Sequence, residues 1–159
     1  MLHTISALLI DDDIWSLRLL KGMLQQCFPD LRIETRTVAD TSGNFDIYFI
    51  DNLIGGVEIA ADLAAEIRER RPDALLIAFS ARLDQSTLKA LLIAGCNGAC
   101  DKTLHDDLPM TMQVTQHYIE ELLAAPARGG GGLRSVLRSI RGLLHEWNTR
   151  LEREAAQAR

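Results

Sequence analysis

Five polar side chains stand at, or directly after, the ends of short apolar segments in this 159-residue sequence. They are the carboxylates of Asp11, Asp12 and Asp51, the hydroxyl of Ser80 and the ammonium of Lys102. Three carboxyl groups that lie close together repel one another when all are ionised, and a nearby cation removes that repulsion. Carboxylate oxygens are hard ligands, which suit Mg²⁺. A carboxylate beside Mg²⁺, a hydroxyl and an ammonium group is equipped for phosphoryl transfer, because the cations neutralise the phosphoryl oxygens.

These side chains meet only if the apolar segments are parallel strands whose carboxyl ends share one edge of a sheet. Short apolar runs predict strands, and apolar residues at helical spacing between them predict helices. The predicted strands are 5–10, 32–38, 47–50, 74–79 and 98–100, and the predicted helices are 14–28, 59–70, 85–94 and 108–123. The alternation predicts an α/β fold with a doubly wound parallel sheet and helices on both faces.

The connection between the second and third predicted strands is short. About seven residues, 39–45, separate the two strands, whereas a parallel crossover normally takes a dozen or more. Seven extended residues reach roughly 23 Å, which is enough to return without a helix. We therefore predict that the second helix is short or missing. We also expect an apolar surface that needs a cover, either the C-terminal tail of the chain or a second subunit.

The C-terminal part of the chain differs from the rest. Residues 124–132 (AAPARGGGG) predict a linker after a domain spanning 1–123. Residues 133–159 predict an amphipathic helix with a basic opposite face. Its apolar stripe consists of Leu133, Val136, Leu137, Ile140, Leu143, Leu144, Trp147 and Leu151. The stripe could pack on its own domain, form a homodimer, or bind a partner protein; we favour self-association.

Composition narrows the class of protein. Apolar residues make up 47% and charged residues 25% of the chain, which fits a packed core and excludes global disorder. No apolar run has the roughly 20 residues of a membrane span, and the first residues lack the basic region of a signal peptide. Three cysteines are an odd number, which argues against a disulfide framework and fits a cytoplasmic protein.

The charge is distributed unevenly. Residues 1–126 carry 10 Lys and Arg against 19 Asp and Glu, while 127–159 carry 7 Arg against 3 Glu. The acidic body is unsuited to binding nucleic acid, and the basic tail is too short for a familiar DNA-binding domain. We therefore expect no nucleic-acid and no membrane partner.

Four segments in order resemble the receiver domain of two-component response regulators. They are ALLIDDD (7–13), FDIYFID (45–51), LLIAFSA (75–81) and AGCNGACDK (94–102), and the resemblance covers roughly residues 5–123. It implies a flavodoxin-like (βα)5 fold. It also implies a role in signalling, in which a sensor histidine kinase or a phosphotransfer protein donates a phosphoryl group and a downstream protein partner receives the output. The chain would then be no metabolic enzyme, and its chemistry would be Mg²⁺-dependent self-phosphorylation and autodephosphorylation.

The resemblance assigns roles to individual residues. Asp51 would be the phosphoacceptor and a ligand of Mg²⁺. Asp12 would hold the metal directly and Asp11 largely through water, and the backbone carbonyl of Leu53 would complete the metal shell.

Two further residues would contact the phosphoryl group. Ser80 would bind it and report its presence. Lys102 would pair with a phosphoryl oxygen, or with Asp51 when that residue is not phosphorylated.

Besides the short crossover between the second and third strands, the sequence departs from the pattern of that family in three places. Ala99 stands where an aromatic switch residue is expected, so the usual aromatic coupling is absent. Thr103 replaces the usual proline after Lys102, so a cis peptide bond is not expected there. The segment after Asp51 (NLIGGVE) is shortened, and Gly56 takes the place of the family's glycine.

Three other functions are weighed against the receiver. A pseudo-receiver would act as a dimerisation or scaffold module without phosphorylation. A phosphotransfer module would carry phosphate on both Asp51 and His145, since His145-Glu146 faintly resembles a phosphohistidine segment. A hydrolase of the haloacid type would place its nucleophile after the first strand rather than the third.

Other polar residues favour structural roles. Cys96, Cys100 and His105 match no strong zinc pattern, and small buried side chains are the interpretation we favour for the two cysteines.

Overall fold

A computed structural model describes residues 4–81, 83–102, 107–124 and 141–157. Its main sheet is parallel, with strand order β2-β1-β3-β6-β7. These strands are β1 (Ser6–Ile10), β2 (Arg32–Arg36), β3 (Ile47–Asp51), β6 (Leu75–Ser80) and β7 (Gly98–Asp101), and β4 (Leu53–Ile54) pairs with β5 (Val57–Glu58) in a separate hairpin. The central strands β1, β3 and β6 are buried along their whole length, as expected of a parallel sheet covered on both faces.

Five helices accompany the sheet in the described part of the chain. They are α1 (Ile14–Cys27), α2 (Ala60–Arg70), α3 (Gln85–Ala94), α4 (Asp107–Ala124) and α5 (Arg141–Gln157). The carboxylate of Asp13 accepts a hydrogen bond from the backbone N–H of Trp15 and so caps α1. Gly95 ends α3 with a φ of 115°, a left-handed conformation that favours glycine. The predicted α/β architecture is confirmed, with boundaries within about two residues of the prediction.

The crossover from β2 to β3 contains no helix, as predicted, and residues 37–46 make the connection. Strand β2 ends at Arg36, two residues earlier than predicted. The guanidinium of Arg36 donates hydrogen bonds to the carbonyls of Asp40 and Ser42, at 2.9 and 2.8 Å. It also lies over the ring of Phe45, 5.5 Å from its centroid. One side chain thus organises the loop that replaces the second helix.

The same loop covers the surface that we expected to be left bare. The Thr41 hydroxyl donates a hydrogen bond to the Glu66 carboxylate at 2.7 Å, and the Thr41 backbone carbonyl accepts one from Arg70 at 2.7 Å. These two bonds tie the loop to α2. Every residue of β1 is buried beneath its neighbours. The expectation that the C-terminal tail covers this region is wrong, because the tail helix Arg141–Gln157 packs against β7, α3 and α4 at the other edge of the sheet. Cover by a second subunit stays a prediction.

Helix α5 packs at the other edge of the sheet, against β7, α3 and α4. Leu144, Trp147, Leu151 and Ala155 are buried in the same hydrophobic core as the strands. The amide of Asn148 donates to the carbonyl of Asn97 at 3.0 Å. The predicted apolar stripe is confirmed where it is described. Of the three predicted partners for the stripe, the structure shows the chain's own domain.

Several predictions fall on residues outside the described ranges. They concern the peptide bond between Lys102 and Thr103, the side chain of His105, most of the linker 124–132, and the stripe residues Leu133, Val136, Leu137 and Ile140. Among the helices of the described ranges, none combines the length and the apolar character needed to span a bilayer.

Candidate functional site

Three carboxylates converge at the carboxyl edge of the sheet, where the sequence predicted them. Strand β3 ends with Asp51, and Asp11 and Asp12 follow its neighbour β1. Each of the three offers a carboxylate oxygen within 4.8 Å of the others. Asp11 and Asp51 are buried and Asp12 is exposed, so the cluster opens to solvent on the side of Asp12.

The ammonium group of Lys102 lies between two of these carboxylates. Its Nζ is 2.9 Å from Oδ2 of Asp11 and 2.7 Å from Oδ1 of Asp51. The side chain of Lys102 is 27% exposed and is therefore partly desolvated. Partial exclusion of water strengthens the attraction between its ammonium group and the two carboxylates. Lys102 follows β7, which pairs with β6 rather than with β1 or β3, and its side chain therefore reaches across the sheet edge to the acidic cluster.

The crowding shifts the protonation of the site. Burial raises the pKa of Asp51 above its ordinary value, the hydrogen bond and charge of Lys102 oppose that rise, and the charges of Asp11 and Asp12 add to it. Burial lowers the pKa of Lys102, but its hydrogen bonds to Asp51 and Asp11 outweigh that effect and leave the pKa raised. Three acids and one base therefore leave excess negative charge at this edge, the condition in which a cation stabilises a site.

The remaining predicted residues lie nearby. Ser80 is buried at the end of β6, and its carbonyl accepts a hydrogen bond from the backbone N–H of Lys102 at 2.8 Å. Leu53 lies on β4, two residues beyond Asp51. Ala99 is buried in β7 opposite Ala78 of β6, so the position that carries an aromatic switch in the resembling family holds a methyl group within the core.

A feature that the sequence analysis missed is the hairpin formed by β4 and β5. Gly55 and Gly56 form its two-residue turn, with φ values of 60° and 79°. The backbone N–H of Gly55 donates to Oδ2 of Asp12 at 2.8 Å, so the hairpin contacts the acidic cluster directly. The signal was present, because a Gly-Gly pair between apolar residues is typical of a two-residue hairpin whose turn needs positive φ at both positions.

The surroundings of the cluster are apolar. Among the described residues, Ile14 and Trp15 at the start of α1 are exposed, and so are Leu53 and Val57 of the hairpin. A cavity of about 320 Å³ adjoins the cluster and includes Asp11, Asp51 and Lys102 in its lining, together with apolar residues of α1 and the sheet. Exposed large apolar side chains therefore occur on two elements that adjoin the acidic residues along the chain.

The donor set fits a magnesium ion. It consists of carboxylate oxygens, the hard ligands that Mg²⁺ prefers, and the exposure of Asp12 allows water to fill the remaining positions. Among the residues that the structure describes, no His or Cys belongs to this cluster, so it lacks the nitrogen and sulfur ligands typical of structural zinc sites.

Comparisons with known proteins agree with this architecture. No protein-family model matches the sequence, and no curated protein matches it either. Solved structures do match, and they are receiver domains of response regulators. One is the signal receiver domain of a DNA-binding response regulator from Colwellia psychrerythraea, 18% identical, with a TM-score of 0.65 over 73% of this chain and 98% of that chain.

Two further structures extend the likeness. A CheY-like receiver domain protein from Methanospirillum hungatei is 19% identical, with a TM-score of 0.61 over 80% of this chain and 100% of that chain. The response regulator TrrA from Thermotoga maritima, solved in complex with Mg²⁺ and BeF, is 24% identical, with a TM-score of 0.56 over 69% of this chain and 96% of that chain. At these identities the likeness shows the fold, and the chain has the flavodoxin-like fold of receiver domains.

Proposed function

We propose that this chain, which has the receiver-domain fold, accepts a phosphoryl group on Asp51 in two-component signalling. The observation that carries the proposal is the position of the Lys102 ammonium, within 2.9 Å of Asp11 and 2.7 Å of Asp51 in a cluster of three carboxylates. A strand-end carboxylate with a cationic partner and two further acids beside it has the components of a phosphoryl-acceptor site.

The transfer step follows from these side chains. An oxygen of the Asp51 carboxylate attacks the phosphorus of a phosphohistidine, and a P–O bond forms as the P–N bond breaks. The imidazole of the donor leaves with the electron pair of that bond. Lys102 turns its ammonium from the Asp51 carboxylate to a phosphoryl oxygen, and the Ser80 hydroxyl donates to another. Hydrolysis of the resulting acyl phosphate returns Asp51 to its starting state, and we propose no other enzymatic activity.

Asp11, Asp12, Asp51 and the carbonyl of Leu53 are the residues that would hold Mg²⁺. When bound, the ion neutralises negative charge on the phosphoryl oxygens. The chain's own residues do the remaining work, since Asp51 supplies the nucleophile and Lys102 holds its carboxylate in place. The hydrogen bond from Gly55 to Asp12 orients that carboxylate at the exposed side of the cluster.

The apolar surroundings of the site favour a protein as phosphoryl donor. Ile14 and Trp15 are exposed at the start of α1, just after Asp11 and Asp12 in the chain. Leu53 and Val57 are exposed on the hairpin whose Gly55 donates a hydrogen bond to Asp12. Exposed apolar side chains on both elements would bury surface against a helix that carries a phosphohistidine. A sensor histidine kinase or a phosphotransfer protein is therefore the proposed donor. The output is proposed to be a change in contact with another protein.

Phosphorylation by acetyl phosphate, followed by intact mass spectrometry, tests the proposal. With Mg²⁺ present, we expect the chain to gain the mass of one phosphoryl group, and we expect no gain after removal of the metal with a chelator. Asp51→Asn should abolish the gain, because an amide oxygen is a poor nucleophile and a poor metal ligand. Asp62→Asn, at an exposed position in the first turn of α2, is the matched control and should be phosphorylated like the original chain.

Two results would contradict the proposal. A gain of mass in Asp51→Asn would place the phosphate elsewhere, and loss of that gain on replacing His145 would indicate the phosphotransfer module. No gain in a folded chain, with no binding of beryllofluoride, would favour the pseudo-receiver.

A further inference from the structure

The cavity beside the acidic cluster extends well beyond the groups that phosphoryl transfer uses. Its volume is about 320 Å³, and its lining comes from α1, from the strands β1, β3, β6 and β7, and from the start of α4. The reaction proposed for Asp51 involves only the polar end of this space. The apolar remainder has no part in that reaction, and its chemistry can be considered separately.

Two phenylalanine rings line the apolar part of the cavity. Phe49 of β3 and Phe79 of β6 are both buried, and their ring centroids lie 5.9 Å apart with an angle of 61° between the ring planes. Such rings favour a third ring in an edge-to-face or offset arrangement. Met23 of α1 also lines the cavity, and its flexible thioether adapts to the shape of an apolar neighbour. This part of the cavity therefore suits an aromatic group.

The size of the cavity limits what it can hold. Ligand cavities in proteins usually measure about 300–1,000 Å³ and are mostly apolar, with a few polar groups that orient the ligand. An engineered apolar cavity of about 150 Å³ binds benzene, so twice that volume accommodates a benzene ring and a short carbon chain. Leu19 lines the cavity and is 67% exposed. The cavity therefore reaches solvent, and a ligand can enter while the chain stays folded.

The polar end of the cavity selects the charge of a ligand. Asp11, Asp51 and Lys102 line it, and Asp12 adds a third carboxylate within 4.8 Å of the other two. The ammonium group of Lys102 is already shared between Asp11 and Asp51, at 2.9 and 2.7 Å. An anionic group entering here would meet the excess negative charge, whereas an ammonium group would be attracted and could donate up to three hydrogen bonds.

We propose that this cavity binds a small aromatic amine, with its ring against Phe49 and Phe79 and its ammonium group at Asp51. The ammonium group and Mg²⁺ need the same carboxylate oxygens and repel each other, so the two cations exclude one another. A bound amine then prevents phosphoryl acceptance. That last consequence rests on the proposed function, whereas binding of the amine does not.

Three probes that share one ring and one chain test the charge preference. They are 4-phenylbutylamine, 4-phenylbutan-1-ol and 4-phenylbutyrate, titrated into the full chain without Mg²⁺ and followed by NMR chemical shifts. The amine should bind at least about tenfold more tightly than the alcohol, since a hydrogen bond to a charged group contributes at least that factor. The carboxylate should bind no more tightly than the alcohol. Asp51→Asn should weaken the amine about tenfold and leave the alcohol unchanged.

A substitution within the cavity tests where the probes bind. Leu20 of α1 lines the cavity and is half-buried, so Leu20→Phe places a ring in the space and should weaken the amine and the alcohol alike, by about tenfold. Leu123→Phe is the matched control, because Leu123 is 56% exposed and is not among the described residues that line the cavity. This variant should bind both probes as the original chain does. Met23→Phe repeats the test if Leu20→Phe does not fold.

Competition with Mg²⁺ tests the mutual exclusion. A Mg²⁺ concentration about ten times its own dissociation constant should raise the apparent dissociation constant of the amine about tenfold, and NaCl of equal ionic strength should raise it less. The apparent constant of the alcohol should not change. In the presence of Mg²⁺, the amine should also slow phosphorylation by acetyl phosphate, while the alcohol should leave that rate unchanged.

The outcomes separate this proposal from the proposed function. Equal affinity for the amine and the alcohol, or tighter binding of the carboxylate, would overturn the preference for a cation. Unchanged binding in Leu20→Phe or Met23→Phe would place the probes outside the cavity, and indifference to Mg²⁺ would overturn the exclusion. Phosphorylation of a chain that binds no amine would remove the ligand site alone. Amine binding by a folded chain that gains no phosphoryl group would remove the proposed function alone.

Discussion

The two edges of the sheet are closed in different ways. At the β2 edge, the strand exposes charged residues such as Arg32 and Glu34, and the crossover loop beside it is held by Arg36. At the β7 edge, the strand is buried beneath α5, with Trp147 resting on Gly98. Charges on one edge and a covering helix on the other are alternative ways to keep a strand from pairing with another chain.

Two buried carboxylates show how far the difference extends. Asp46, at the end of the crossover, accepts hydrogen bonds from the backbone N–H of Ser6 at 3.0 Å and from Arg71 at 3.2 Å, one on each oxygen. Asp107, below α5, accepts a hydrogen bond from the Asp101 N–H on Oδ2, whereas Oδ1 accepts none from the described residues and lies 3.8 Å from Nη2 of Arg150.

The two edges differ in how many hydrogen bonds would break if each were opened. The polar groups at the crossover are paired within one continuous stretch of sequence and its neighbours, so opening that region would cost several hydrogen bonds at once. The β7 edge is closed by a separate helix, and four buried polar atoms at this contact find no hydrogen-bond partner among the described residues. Separating α5 would therefore break fewer hydrogen bonds for the surface it exposes than opening the crossover would.

Replacing Trp147 should have the largest effect on stability. The side chain is 0% exposed in the described structure, and a Trp→Ala change in a core typically costs about 3–5 kcal/mol. We expect Trp147→Ala to lower the free energy of unfolding by that order, measured by urea denaturation. Trp15→Ala is the matched control; that side chain is 72% exposed, and its loss should cost less than about 0.5 kcal/mol. Equal effects would mean that the β7 edge is not held by this contact.

Asp46→Asn should have an intermediate effect, at the crossover side. The amide retains one acceptor oxygen but loses the charge that pairs with Arg71 and with the Ser6 N–H. Hydrogen bonds to charged groups contribute about 1.5–3 kcal/mol, so we expect a loss of about 2 kcal/mol in urea denaturation at neutral pH. Asp30→Asn, at an exposed position, serves as control. A loss below about 0.5 kcal/mol would show that the paired carboxylate contributes no more than a surface one.

The site could be predicted from sequence because it depends on strand ends. Asp11, Asp51 and Lys102 each follow or end an apolar run, and parallel strands bring their carboxyl ends to one edge whatever the loops do. The absence of a helix from the crossover was also predictable, because residues 39–45 between the two predicted strands are too few for a normal helical crossover. The way in which the crossover loop covers the sheet was not predictable. It depends on hydrogen bonds from Arg36 to the carbonyl groups of Asp40 and Ser42, whose positions no residue pattern encodes.

The partner of the C-terminal stripe shows the same limit. Helical spacing of Leu144, Trp147 and Leu151 predicted which face is buried, and the structure confirms it. The spacing did not predict the surface against which that face packs. We favoured self-association, whereas the structure shows an intramolecular contact. The clue was Gly98, a glycine within a strand, which often marks a close approach of another group.

The smallest effect is expected from Asp107→Asn, and it should depend on pH. Burial raises the pKa of Asp107; the Asp101 N–H and the Arg150 charge oppose that rise, and the Glu154 charge adds to it. With a raised pKa, the folded chain holds more protons than the unfolded chain between about 3.8 and the raised value. Stability therefore falls as the pH rises through that range.

Asn cannot ionise, so the variant should escape that loss. Relative to the original chain, its free energy of unfolding should rise with pH above about 3.8 and level off once Asp107 has ionised. The gain should stay below about 1 kcal/mol, because losing the ion pair with Arg150 offsets part of it. Urea denaturation at several pH values, with Asp62→Asn as the control for losing one surface charge, measures the difference. A variant less stable than the original chain at every pH would mean that Asp107 is as well paired as Asp46, and the contrast between the two edges would then rest on Trp147 alone.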